Sequence, residues 1–271
     1  SERDSALESL ARLKAQYDSL RTIQISNDIP LPLHFNPLIS GQEIPKGREK
    51  YLFQEFPTKR PDNIEDCAFY TIGQLAHLIR TRQISSLELT NMYLSRLERF
   101  GPQLECVITL TRELAIEQAK RADELIKNGK YLGPLHGIPY GAKDLLAVEG
   151  YKTTWGAMTH KNQFIESTAT VIKKLEEAGA VLIAKLTLGA LAWGDNWYGG
   201  KTRNPWNTEL GSSGSSAGPG SATSAGLVAF SLGSETWGSI VSPSTVNGVT
   251  GLRPTFGTVS KSGAMALSWS M

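Results

Sequence analysis

Residues Gly137-Ile-Pro-Tyr-Gly-Ala-Lys143-Asp144 form a short apolar run that ends on a lysine. The run reads as a short strand, and beside Gly141 and Ala142 the lysine lacks the polar neighbours a solvated surface lysine more often has. Before it, Thr71 with Gln74 makes a capping-box start for a helix running to about Arg82. Ser85 with Glu88 makes another, for a helix closed by Gly101-Pro102, and a third runs from about Arg112 to Asn128 and stops at Gly129. After it, a helix from about Thr168 to Ala178 stops at Gly179, and Ala180-Val-Leu-Ile-Ala184 reads as a buried strand. Helices alternating with short apolar strands predict an α/β fold with a mixed central β-sheet flanked by helices.

Upstream, Leu7, Leu10, Ala11, Tyr17 and Leu20 share roughly one face of a helix spanning Ser5 to Thr22. From Ile29 to Pro61 the periodicity vanishes and six prolines recur, as expected of an extended arm on the surface of a domain. The division expected is therefore 1–68 for the N-terminal helix and arm, and 69–271 for the α/β domain.

The 271 residues are 40% apolar with a formal charge of +2, and the 28 Lys and Arg are spread among 26 acids. That balance gives no electrostatic case for nucleic acid or a membrane surface. No stretch approaches the roughly 18 uninterrupted apolar residues of a membrane span. The chain starts at Ser1 without a charged segment and apolar core, so any signal peptide is expected to have been removed already; cytoplasmic and exported locations both stay open. Cys67 and Cys106 are read as two unpaired core thiols in preference to a disulfide. The last 61 residues, from Gly211, carry only Glu235, Arg253 and Lys261 as charges. Small residues alternate there with apolar blocks such as Leu227-Val-Ala-Phe230, which points to tight backbone packing in a buried site rather than a linker.

Several chemistries drop out on spacing. His34, His77, His136 and His160 are isolated, with no metal-ligand pair and no cysteine cluster, so no metal is expected. Gly200-Lys201-Thr202 resembles the end of a phosphate-binding loop, but Asp195 stands where the loop needs a glycine. Gly214-Ser215-Ser216-Ala217-Gly218 fits G-x-S-x-G, yet no His or Asp follows Ser216 to complete a triad within the chain. A serine can instead be activated by a lysine whose pKa burial lowers towards neutrality. Lys143 is the candidate; in isolation it would read as structural, and its neighbouring blocks decide the matter.

Three blocks together resemble the amidase signature family. Gly137 to Asp144 is similar to the strand carrying its catalytic lysine, Gly214 to Gly218 to its Gly-Ser-Ser-Gly-Gly core, and Gly233-Ser-Glu-Thr-Trp-Gly-Ser239-Ile240 to the block holding its nucleophile. Thr202-Arg-Asn-Pro-Trp206 and Gly248 to Gly257 match connecting stretches, the blocks occur in family order, and Ser215 and Ser239 stand 24 positions apart as the family pattern has them. The resemblance covers roughly Phe69 onward and implies the amidase signature fold, with further sheet and helices beyond Met271. It implies hydrolysis of a carboxylic amide to acid and amine through an acyl-enzyme, with Ser239 as nucleophile, Ser215 as a bridging serine after a cis peptide bond, and Lys143 as base. Ser216 would be auxiliary, backbone N–H groups of Thr236, Trp237, Gly238 and Ser239 would form the oxyanion hole, and no cofactor is called for. The expected partner is a small-molecule amide, with homodimerisation left open.

Two positions depart from the family pattern. Trp237 stands where glycine is usual, either walling the acyl pocket or packing away from it. Val241 replaces a frequent arginine, which favours a freestanding amidase over the A subunit of a glutamine-dependent tRNA amidotransferase working with partner subunits. A catalytically inactive amidase-like binding protein is a further alternative, disfavoured because all three relay residues are present.

Overall fold

The computed structural model describes residues 2–26 and 56–267, which fall into two compact units. In the first, α1 (Glu2–Arg21) forms where the N-terminal periodicity predicts it, with Lys14 and Asp18 paired one turn apart at 2.6 Å. Most of the proline-rich stretch read as an arm, and His34 with it, lies outside the described residues.

The second unit contains the remaining elements. A 3₁₀ turn (Ile64–Phe69) leads into α2 (Ile72–Arg80), α3 (Ser86–Leu104), β1 (Val107–Leu110), α4 (Arg112–Lys127) and β2 (Pro139–Lys143). Then come α5 (Thr170–Glu177), β3 (Val181–Leu186) and two small hairpins, β4 (Asn196–Trp197) with β5 (Gly200–Lys201) and β6 (Arg203–Asn204) with β7 (Asn207–Gly211). The described chain closes with α6 (Ala217–Ser224), β8 (Phe230–Leu232) and α7 (Val241–Asn247).

The central sheet is mixed, as predicted. Its order is β1-β3-β2-β8, with β1 antiparallel to β3 and the other pairs parallel. Residues alternate between sheet faces, with the register shifting by one at Ile183 of β3. Ile138, Val181, Ile183 and Leu186 pack with residues of α2, α3 and α4, whereas Tyr140, Ala142 and Leu182 pack with Leu145, Leu146 and Ile172 on the opposite face. Helix on sheet on helix buries both faces, which is why β2 and β3 are buried at every residue.

Two local expectations change. Helix α3 does not stop at Gly101-Pro102 but continues to Leu104 and ends on Glu105 at φ 48°. Pro102 lies in the last turn, where its missing N–H removes one helical bond, and Leu104 beyond it is buried in the core. The capping box at Thr71 forms in full, but at Ser85 only the hydroxyl half does, accepting the Glu88 N–H at 3.0 Å. The Glu88 carboxylate is drawn away to Arg60. Cys67 and Cys106 are both unpaired and buried, as read from the sequence, and burial pushes their thiols up to about 11 and about 12.

Candidate active site

Strand β2 delivers Lys143 to its own C-terminal end with the side chain fully buried. Because β8 runs parallel to β2, with Ala142 opposite Leu232, the chain leaving β8 emerges at the same end of the sheet. That places Ser234, two residues past β8, against the lysine. The segment before α6 supplies the remaining partners. Lys143 Nζ lies 2.8 Å from Ser215 Oγ, 2.9 Å from Ser234 Oγ and 3.1 Å from Ser216 Oγ. The Gly214–Ser215 peptide is cis, as the resemblance implies.

Glycine is required at this approach. A Cβ on Gly214 would overlap the carbonyl of Gly194, and one on Gly218 would overlap the Thr187 N–H. The small-residue composition of 214–220 therefore reflects backbone packed on backbone.

The lysine's electrostatics follow from this setting. Desolvation lowers its pKa from 10.5 to about 7, with the carboxylate of Glu235 opposing the shift. The amine thus has a large neutral population near neutrality, which an exposed lysine lacks.

The protons around it are constrained. Ser216 Oγ donates to the Ser234 carbonyl at 3.1 Å and accepts from the Ser234 N–H at 3.2 Å. With its proton committed, Ser216 can only accept from Lys143. Ser215 Oγ, in a residue 1% exposed, has Lys143 Nζ as its hydrogen-bond partner among the described residues.

Ser239 is half-buried at the edge of this cluster and joins it through its backbone, its carbonyl accepting the Ser216 N–H at 3.0 Å. Its Oγ makes no hydrogen bond among the described residues. The loop that presents it is folded around Glu235. The Glu235 carboxylate accepts the N–H groups of Gly238 at 3.0 Å, Ile240 at 2.7 Å and Val241 at 2.9 Å, and the Arg253 guanidinium at 3.0 Å. Burial would push this carboxyl up, but those donors together hold it below the ordinary carboxylate range.

Of the four backbone donors expected to form an oxyanion hole, Gly238 is thus already committed to Glu235. Those of Thr236, Trp237 and Ser239 have no partner among the described residues. Trp237 is 83% exposed, and its indole stacks on that of Trp193.

A second buried lysine escaped the sequence reading. Lys185 is paired with Asp144 at 2.7 Å, both side chains fully buried. Lys185 stands opposite Ala142 in the β2–β3 register, so it occupies the sheet face opposite Lys143. It also donates to the Lys152 carbonyl at 2.9 Å and Thr153 Oγ1 at 3.0 Å, while Asp144 accepts the N–H and hydroxyl of Thr154 at 2.7 and 2.6 Å. Burial drives the pKa of Asp144 up and that of Lys185 down, each against the attraction of the other. This pair braces the start of the loop after β2. The only signal for it was a lysine one residue beyond the apolar run at Ala184. Among the described residues no three His, Cys, Asp or Glu side chains are grouped to hold a metal.

The family model described as Amidase matches residues 88–271. The chain belongs to the amidase signature family. Curated relatives include the glutamyl-tRNA(Gln) amidotransferase subunits A of Thermoanaerobacter pseudethanolicus, 40% identical over 204 residues, and of a Marinomonas species, 39% identical over 204 residues; each alignment covers 74% of this chain and 42% of the relative. Among solved structures, native peptide amidase from Stenotrophomonas maltophilia superimposes with a TM-score of 0.70 at 35% identity, over 75% of this chain and 44% of that one. A fatty acid amide hydrolase gives a TM-score of 0.70 at 28% identity, over 76% and 37%. The chain spans less than half the length of these relatives. No helix among the described residues is long and apolar enough to cross a membrane.

Proposed function

We propose that the protein hydrolyses a carboxylic amide through a Lys143–Ser215–Ser239 relay. The observation that carries this reading is a fully buried lysine, shifted to about 7, within 2.8 Å of Ser215 Oγ. A neutral amine has one lone pair and two N–H groups. Ser216 and Ser234 take the N–H groups, leaving the lone pair for the proton of Ser215. Ser215 then takes the proton of Ser239 as Ser239 Oγ bonds to the amide carbon. The N–H groups of Thr236, Trp237 and Ser239 receive the developing oxyanion, each donor contributing about 3 kcal/mol. Reversal of the relay protonates the departing amine as the carbon–nitrogen bond breaks. Water, deprotonated through the same chain, then releases the acid from the acyl-enzyme. Hydrogen bonds to a nucleophile are often long before substrate binds; the Ser239–Ser215 bond forms when the amide seats.

A second reading, the glutamine-hydrolysing A subunit of an amidotransferase, is favoured by the identity of the curated relatives, which are amidotransferase subunits A. Against it stands Val241 where such subunits usually carry arginine. Turnover of simple amides by the protein alone separates the two. The relay requires Ser239→Ala and Lys143→Ala each to abolish hydrolysis with folding retained; normal turnover by either variant rejects it.

A further inference from the structure

Building on the relay reading, we infer that Trp193 and Trp237 form a platform for a flat aromatic group carried by the amide substrate. The two indoles stack with ring centroids 6.1 Å apart and planes 26° from parallel. They are 73% and 83% exposed, and neither indole N–H has a partner among the described residues. Trp206, also exposed, differs: its Nε1–H donates to the Asn247 carbonyl at 2.9 Å, which fixes it as a structural strut.

Placement gives the platform its role. The loop bearing Trp193 is pressed onto the site, since Gly194 leaves no room for a Cβ on Gly214, and Asp195 Oδ2 accepts the Ser213 N–H at 3.1 Å. Trp237 sits within the Glu235-folded loop, two residues before Ser239. The indoles are thus carried by the two loops that flank Ser215 and Ser239. On this placement, an amide bound at Ser239 would carry its substituent towards the exposed indoles. Aromatic faces favour offset or edge-on aromatic partners over saturated rings of equal size.

Ligand-observed NMR titration of Ser239→Ala protein with benzamide and with cyclohexanecarboxamide tests this without turnover. The platform predicts benzamide binding tighter by about fivefold or more, with the preference falling towards unity in Trp193→Leu or Trp237→Leu backgrounds. Equal binding of the two amides, binding of neither, or a preference that both Leu variants leave intact overturns it. Hydrolysis by the unsubstituted protein, measured in parallel, keeps the two readings apart. A binding preference without turnover rejects the relay alone, and turnover without a preference rejects the platform alone.

Discussion

Replacing Lys143 by methionine should abolish the proposed chemistry and, at acid pH, stabilise the fold. Burial takes this lysine from 10.5 in the unfolded chain to about 7 in the native state. At about 1.4 kcal/mol per unit, the gap amounts to about 5 kcal/mol. Between those two values the unfolded chain binds the extra proton, so this group makes stability rise with pH. Below about 7 the penalty stands in full; near 10.5 it is gone. Methionine fills a similar volume without a charge but gives up the three serine hydroxyl contacts of Nζ. At about 1 kcal/mol each, those cost about 3 kcal/mol. Lys143→Met should therefore be more stable than the parent by about 2 kcal/mol at about pH 6, and less stable by about 1.5 kcal/mol at about pH 9.5. Urea unfolding of both proteins at the two pH values reads the difference directly, since other titrating groups cancel. A variant destabilised equally at both would refute the argument, because Lys143 would then carry no proton difference between folded and unfolded states.

The same shift should govern the proposed catalysis. kcat/KM should rise about tenfold per unit of pH on the acid side and level off above about 7, where Lys143 becomes the base; an acid limb near 10 would show an unperturbed lysine. Glu235 raises the pKa of Lys143 and also folds the loop bearing Ser239. Glu235→Gln should lower kcat by about tenfold or more and move the acid limb to lower pH, whereas a change in KM alone would deny it both roles. Lys185→Met leaves Asp144 buried without its cation and should cost about 3–5 kcal/mol in urea unfolding; a neutral change would mean the pair is replaceable.

What the sequence made legible was whatever depends on neighbours along the chain. Lys143 announced itself by ending an apolar run beside Gly141 and Ala142, and that run is β2. Thr71 and Gln74 lie three residues apart, and their reciprocal bonds form as the spacing requires. Ser215 and Ser216 were found because Gly214 and Gly218 bracket them, and those glycines are where backbone meets backbone.

The remainder depends on sheet register and loop closure. Ser234 meets Lys143 only because β8 lies parallel to β2, an adjacency across 91 positions. Lys185 and Asp144 pair across the β2–β3 boundary, and nothing in the run Ala180 to Ala184 distinguishes a buried ion pair from a strand end reaching water. Glu235 shows its role only once its loop has closed on it, which also withdraws Gly238 from the backbone donors expected at the site. Trp237 was visible as a departure from the family pattern, but its partner Trp193 lies 44 residues away on another loop.

The most direct test of the central claim is intact-mass analysis of the folded protein before and after treatment with a serine-reactive phosphonate, with the adduct mapped by peptide fragmentation. The relay predicts one adduct on Ser239, absent from Ser239→Ala and strongly slowed in Lys143→Met. A folded protein that stays unlabelled, or that carries its label on a residue other than Ser239, would contradict it.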